Sequence, residues 1–473
     1  MPTSFDSYAQ ILLGESLPFE NDCACPTPPT PPPLHGRESR YVPAPQLHSQ
    51  ALTDGWFLYC NPLAGGAPTV LNTAAVERLT RFAPNQPLAD ELDRRLAAAN
   101  LLLPCGTVYA APPGQPTLLT AWIHVTNACN LDCPYCYVRK SGAKMALETG
   151  KKAVDALVTT AKANGFTEIK LKYAGGEAAL HYRMVMQLHE YATEQTARHS
   201  IALRAVVLSN GTVMPPAFAD WLASSGVRLM LSVDGVGADH DQQRPFKAGT
   251  AGVFAALERN LVERLLPHGI RPDVCITITG RTAHSAQSAV AWALQHDLPF
   301  SLNFYRENDQ AAKYGDLRYE EQQIIRGMQA AYQTIEQHLP TRPLLDGLLD
   351  RVQAQAHGHT CGVGQNYVVI THEGTVAQCQ MELAHAAPFE ATTDLIPLVA
   401  SGAIHNISVD EKAGCRDCEW RYRCTGGCPL MTLRATGRVD IKSPNCGIYQ
   451  ALYPSALRLE GLRILHVHGC TVA

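Results

Sequence analysis

Six runs of apolar residues recur between residues 117 and 350: WIHVT, IKLKYA, LRAVVLS, RLMLSVD, DVCITIT and FSLNFY. Most positions in each run are apolar, as in strands covered on both faces. Helix-length stretches such as LETGKKAVDALVTTAKANG and HYRMVMQLHEYATEQTARH lie between them. This alternation predicts parallel βαβ units in an α/β fold. With polar motifs at the strand C-terminal ends, it predicts a partial, TIM-like (β/α)6 barrel with its site at that face.

The pattern differs on either side. GWFLYCNP and APTVLN read as two short strands, and TAAVERLTRFAP and PLADELDRRLAAANLLL as helices, with Asn72–Thr73 as an N-cap. Together they predict a small winged-helix unit over residues 51–108. Residues 1–50 include CACPTPPTPPPLHG, a composition that buries little surface and predicts a mobile arm carrying Cys23 and Cys25. A second proline-rich joint, YAAPPGQP, precedes the main body. Beyond residue 355 the alternation fails, and seven cysteines fall within 86 residues in a segment set at 355–450, followed by a tail at 451–473.

The 473 residues are 46% hydrophobic and 17% charged, the balance of a globular protein. A net charge of −4 gives no basic surface for nucleic acid or membrane. The first residues lack a signal-peptide pattern, and no apolar run is long enough to span a bilayer. Sixteen cysteines without an export signal point to a reducing cytoplasm and thiolate–metal ligation.

Cys129, Cys133 and Cys136 stand in a C-x3-C-x2-C spacing directly after the first strand. Three thiolates on one loop can hold three irons of a cube and leave the fourth open. A structural zinc loop normally uses two CxxC pairs. The motif, with Tyr135 just before its last cysteine, resembles the signature of the radical S-adenosylmethionine (SAM) superfamily. That resemblance implies a [4Fe–4S] cluster whose free iron binds S-adenosylmethionine, cleaved to a 5′-deoxyadenosyl radical. It assigns the turn of Gly175, Gly176 and Glu177 to the cofactor's amino group. Ser209, Asn210, Ser232 and Asp234, at the ends of the third and fourth strands, could bind ribose hydroxyls, and Arg244 could pair with a carboxylate. The family often has Pro after Glu177, where this chain has Ala178.

Cys361 and Cys379 are followed by Cys415, Cys418, Cys424 and Cys428, spaced C-x2-C-x5-C-x3-C, and by Cys446. This array resembles the SPASM extension of radical enzymes that modify peptides. The resemblance implies one auxiliary [4Fe–4S] cluster on Cys415, Cys418, Cys424 and Cys446 and a second on Cys361, Cys379 and Cys428. The second has no eighth cysteine; either an iron stays open or a histidine closes it, with His357 and His359 as candidates on what reads as an exposed turn. CxxC pairs alone would also suit a zinc-stabilised tail. Cys60 and Cys275 read as core residues, and Cys105 and Cys470 carry no motif.

Residues 54–103 resemble a PqqD-like element that captures leader peptides, which could add a strand to the edge of its small sheet. The alternative is a packing domain that only caps the barrel. The expected function is maturation of a ribosomal precursor peptide by hydrogen abstraction at a Cα or Cβ. The precursor with its leader and an electron donor such as flavodoxin or ferredoxin are the implied partners. Anaerobic sulfatase maturases, a second reading, carry an aspartate base where this chain has Gln380, with Glu382 close by. A non-catalytic metal-binding adaptor is the third. Tyr305, Arg306 and Glu307 end the sixth strand, where a substrate could touch them. No motif identifies the catalytic acid or base.

Overall fold

The computed structural model describes residues 9–13, 40–64, 68–108, 116–249 and 252–470. Strands β1 (Ile11–Leu13), β3 (His48–Thr53), β4 (Trp56–Cys60) and β5 (Thr69–Asn72) form an antiparallel sheet in the order β1-β5-β4-β3, beside a pair made by β2 (Tyr41–Pro43) and β6 (Leu102–Pro104). Helices Thr73–Thr80 and Glu91–Ala98 cover it. Asn72 caps the first helix as expected, its Oδ1 accepting from the Ala75 N–H at 3.0 Å, and also accepts from the Gln10 N–H at 2.9 Å. That second bond fastens β1, so part of the stretch expected as an arm is built into the sheet; the Cys23–Gly36 segment lies outside the described residues. Ile11, Leu71, Leu79, Phe82 and Leu96 make this unit's core.

The six expected strands are β7 (Leu118–Thr126), β8 (Glu168–Gly175), β9 (Ala202–Ser209), β10 (Arg228–Ser232), β11 (Asp273–Ile278) and β12 (Phe300–Phe304), all paired in parallel in sequence order. Leu119, Ala121, Ile123 and Val125 of β7 share one buried core with Val154 and Leu157 of the helix Leu147–Asn164. The alternate residues of each strand, such as Trp122, Lys172, Ser232 and Cys275, face the concave side. Cys275 is therefore not a core residue: it is partly exposed and receives a hydrogen bond from Asn303 Nδ2 at 3.3 Å.

The sheet continues past β7. Strand β13 (Tyr367–Ile370) pairs with it in parallel, and β14 (Thr375–Ala377) and β15 (Ala387–Pro388) follow antiparallel, so the cysteine-rich segment extends the barrel's own sheet. The segment expected as a tail is instead most of a 22-residue helix, Cys446–Val467. It lies between the helix Glu321–Gln337 and the N-terminal sheet. There Gly461 permits close packing, since a Cβ would come within 2.8 Å of Leu58 Cδ1.

Candidate active site and cysteine arrays

The loop after β7 is held on both sides. Thr126 Oγ1 accepts from the Ala128 N–H at 3.0 Å and donates to the Ala143 carbonyl at 2.9 Å. Gly176 N–H donates to the Thr126 carbonyl at 2.7 Å and Glu177 N–H to the Ala128 carbonyl at 2.8 Å. A Cβ on Gly175 would overlap the Thr126 carbonyl oxygen, and one on Gly176 that of Ala128. These glycines thus let the second strand end press against the cysteine loop. Cys133 lies in the field of both Cys129 and Cys136, and burial pushes its thiol up to about 12. Lys140, paired with Asp132 at 3.2 Å, lies in the field of all three sulfurs; burial lowers its pKa, but the sulfurs and Asp132 outweigh it and raise it. Three sulfurs gathered on one loop, beside a cation that offsets thiolate charge, fit an iron–sulfur cluster.

Glu177 closes the site behind this loop. Its buried carboxylate accepts from the Ala179 N–H at 2.9 Å, Ser209 Oγ at 2.8 Å and the Asn210 N–H at 2.6 Å, clasping the ends of β8 and β9. Asn210 Nδ2 donates to Asn130 Oδ1 at 2.9 Å, which fixes the residue next to Cys129. On the other side, Asp234 accepts from Tyr135 OH at 2.6 Å, Arg244 Nη1 at 3.2 Å and the Thr277 N–H at 2.8 Å. Arg244 also meets Tyr135 OH. The carboxylate beside Arg244 here is thus the chain's own Asp234, and Asp234 is engaged by the protein. Ser232 is partly exposed on the concave face. All the expected residues converge on the C-terminal ends of β7–β10. Asn130 and Lys140 were missed, although both lie within four residues of a cysteine of the motif.

Cys415, Cys418, Cys424 and Cys446 line one cavity, with Trp420 and Tyr449. Each sulfur lies in the field of others of the set. Cys361, Cys379 and Cys428 share a separate cluster of buried side chains with Val363, Tyr367 and Val369. Thr425, Gly426 and Gly427, all at positive φ, turn the chain from Cys424 in one set to Cys428 in the other. Burial raises the Cys428 thiol, but the Arg306 and Arg351 guanidiniums outweigh it and hold it below its ordinary value. Arg306, expected where a substrate could touch it, is instead tied to Asp350 at 2.8 and 2.9 Å and set behind Cys428. Tyr305 is buried, and Glu307 pairs with Arg318 at 3.0 Å.

His357 is buried, not exposed; its Nδ1 faces the Gln355 carbonyl at 3.0 Å and its Nε2 faces Thr425 Oγ1 at 3.5 Å. Burial pushes its pKa down to about 4. Tyr137 lies in the field of Cys136 and Cys379, one from the barrel loop and one from the second set. Gln380 Oε1 accepts from Tyr367 OH at 2.8 Å, whereas Glu382 is a partner of Arg434 and His385. Among the described residues, no three His, Cys, Asp or Glu side chains close around a single metal ion.

A parallel half-barrel with three cysteines on the loop after its first strand is the α/β fold of the radical SAM enzymes. Residues 123–288 match the family model of the Radical SAM superfamily, so the chain contains a radical SAM domain. The chain is 32% identical to the AdoMet-dependent heme synthase of Nitratidesulfovibrio vulgaris over 38% of its own length and 48% of that protein. It is 27% identical to the sporulation killing factor maturation protein SkfB of Bacillus subtilis, over 36% of this chain and 38% of that one. The chain thus spans about half the length, or less, of these curated relatives. In three dimensions it is similar to anSMEcpe, solved with bound AdoMet and the Cp18Cys peptide. The TM-score is 0.58 at 18% identity, covering 73% of this chain and 99% of that one.

Proposed function

We propose that this chain is a radical SAM peptide maturase with three iron–sulfur sites and a PqqD-like N-terminal unit that captures the precursor's leader. The observation that supports the reading is that Cys361, Cys379 and Cys428 share a buried cluster with Tyr367 and Val369 of β13, packed against Trp122 of β7, the strand that leads into the Cys129 loop. When bound at Cys129, Cys133 and Cys136, a [4Fe–4S] cluster with S-adenosylmethionine supplies a 5′-deoxyadenosyl radical for hydrogen abstraction at a peptide Cα or Cβ. Asn210 and Glu177 hold the loop rigid beneath it, and the Tyr135–Asp234–Arg244 group orders the opposite wall. The two C-terminal sets would hold auxiliary clusters of SPASM type. A leader adding a strand would use the outer edge of β1 or of β3, the two end strands of the sheet. SkfB is a maturation protein by name and anSMEcpe was solved with a peptide, which favours a peptide substrate. A flavodoxin or ferredoxin as electron donor and a cytoplasmic location complete the reading; among the described residues no helix is long and apolar enough to cross a membrane.

Formylglycine formation is less well supported, because Gln380 is a neutral amide held by Tyr367 and cannot take a proton at neutral pH. Anaerobic reconstitution with iron and sulfide counting, and 5′-deoxyadenosine assay under dithionite, tests the whole proposal. About twelve irons in the wild type and about eight in a Cys129/Cys133/Cys136→Ala variant, with nucleoside formed only by the wild type, are expected. Zinc in place of iron, with no nucleoside, would leave a non-catalytic metal-binding adaptor.

A further inference from the structure

Lys412 is only 1% exposed, and among the described residues no carboxylate lies within salt-bridge distance of it. Its Nζ donates to the Thr425 carbonyl at 2.8 Å, in the left-handed turn that joins Cys424 to Cys428. Its own carbonyl accepts from the Cys415 N–H at 3.1 Å, at the start of the first C-terminal set. Gly426 leaves the space this needs. A Cβ there would lie 3.3 Å from Lys412 Nζ, 3.2 Å from Cys415 Sγ and 2.8 Å from Lys412 Cδ. Burial lowers the pKa of this ammonium, against the field of Cys415 and Cys424 from one set and of Cys361 and Cys428 from the other, which raises it. His357 and His359 lie near enough to feel its charge; Glu411 neighbours His359, Arg423 acts on His357, and Lys442 is a second ammonium near Cys415 and Cys446. A buried ammonium is costly without an opposite charge, and thiolates of the two sets are the anions in reach.

We propose that Lys412 is a fixed cation shared by the two C-terminal cysteine sites, raising the reduction potential of the clusters they hold. The inference rests on the reading of both sets as iron–sulfur sites. Each electron taken up makes a thiolate-ligated cluster more negative, and a cation in a low-dielectric surround favours that form. Lys412 is thus a positioning charge and touches no substrate.

The test is an EPR-monitored redox titration of the reconstituted full chain, as wild type, Lys412→Gln and Lys412→Arg. Glutamine keeps an N–H for the Thr425 carbonyl and loses the charge; arginine keeps both. In Lys412→Gln the reduced-to-oxidised ratio of both auxiliary signals at a fixed potential should fall about tenfold, equivalent to about 59 mV for one electron. The signal of the Cys129/Cys133/Cys136 site should stay in place, and Lys412→Arg should titrate close to wild type. Full iron with unshifted auxiliary signals in Lys412→Gln overturns the role of Lys412 alone. No iron at the C-terminal sets of the wild type overturns the cluster reading, and this inference with it. Should Lys412→Gln fail to load iron, retention of iron in Lys412→Arg supports a required charge. Loss in both variants makes Lys412 a packing residue and overturns the inference.

Discussion

The guanidinium of Arg423 reaches out of the Cys418–Cys424 turn and donates to the carbonyl of Asn61 at 2.9 Å, in the loop that follows β4. It also donates to the carbonyls of Ala64 at 2.6 Å and Pro62 at 3.2 Å, and is 1% exposed. Trp420 of the same turn meets His48 of β3 edge-on at 5.1 Å. The N-terminal sheet and the first C-terminal cysteine set are therefore joined through a buried cation and an aromatic contact.

Arg423→Met should break this joint. Methionine fills part of the volume but withdraws the guanidinium donor from the carbonyls of Pro62 and Ala64, each costing about 1–3 kcal/mol, while the Asn61 carbonyl still accepts from the Ala64 N–H. We expect a loss of about 3 kcal/mol in all, since such terms do not add fully. It would be read as a lower Tm of the anaerobic protein, together with less iron at the Cys415 site. A Tm and an iron count equal to wild type would show that the joint carries no load.

Gly176→Ala should act on the first site alone. The added methyl has nowhere to go except against the Ala128 carbonyl, so the cysteine loop must shift. About four irons should be lost, with those of the C-terminal sets retained, and 5′-deoxyadenosine formation should fall to background. Full iron and normal nucleoside yield would mean that the loop gives way without cost.

Strands β7–β12 were legible because both of their faces are covered, which makes each an apolar run. The same property hid Cys275: in DVCITI its neighbours Val274 and Ile276 are buried apolar residues, and only the period of two separates it from them. The helix Cys446–Val467 was illegible for a related reason. It is buried between two layers, so its apolar positions run around its circumference, and Pro454 breaks the local pattern. Strand β1 is three residues long, and its partner β5 lies almost sixty residues away, a pairing that local sequence cannot announce. The cysteine motifs and strand-end polar residues were readable from spacing. Asn130, Lys140 and Lys412 were not, and Arg306 was read only as a strand-end residue a substrate could touch, because what sets them apart is whom they meet in space.

Glu177→Gln tests the clasp between β8 and β9. The carboxylate oxygens accept three hydrogen bonds from Ala179, Ser209 and Asn210. An amide nitrogen in place of either oxygen sets a donor against a donor. We expect 5′-deoxyadenosine formation to fall at least tenfold, on the order of 1.4 kcal/mol or more, while iron at the C-terminal sets stays constant. Unchanged turnover would reduce the clasp to a packing detail.

Asp346 gives the protein a pH dependence of known sign. It is partly exposed, yet burial of its carboxyl and the nearby Glu460 raise its pKa from 3.8 to about 6, against the opposing Ala354 N–H and Arg423. The native state then holds a proton that the unfolded chain has released, so this group's stabilisation is complete below about pH 4 and is lost as the pH rises to about 6. Asp346→Asn keeps an acceptor for Ala354 without a charge to bury. The cluster-free variant should match the cluster-free wild type near pH 4. By pH 7 it should be the more stable by on the order of 1–2 kcal/mol, a figure reduced for solvent screening. Parallel melting curves across pH 4–7 measure the difference, and a gap that stays constant with pH would rule out Asp346 as its source.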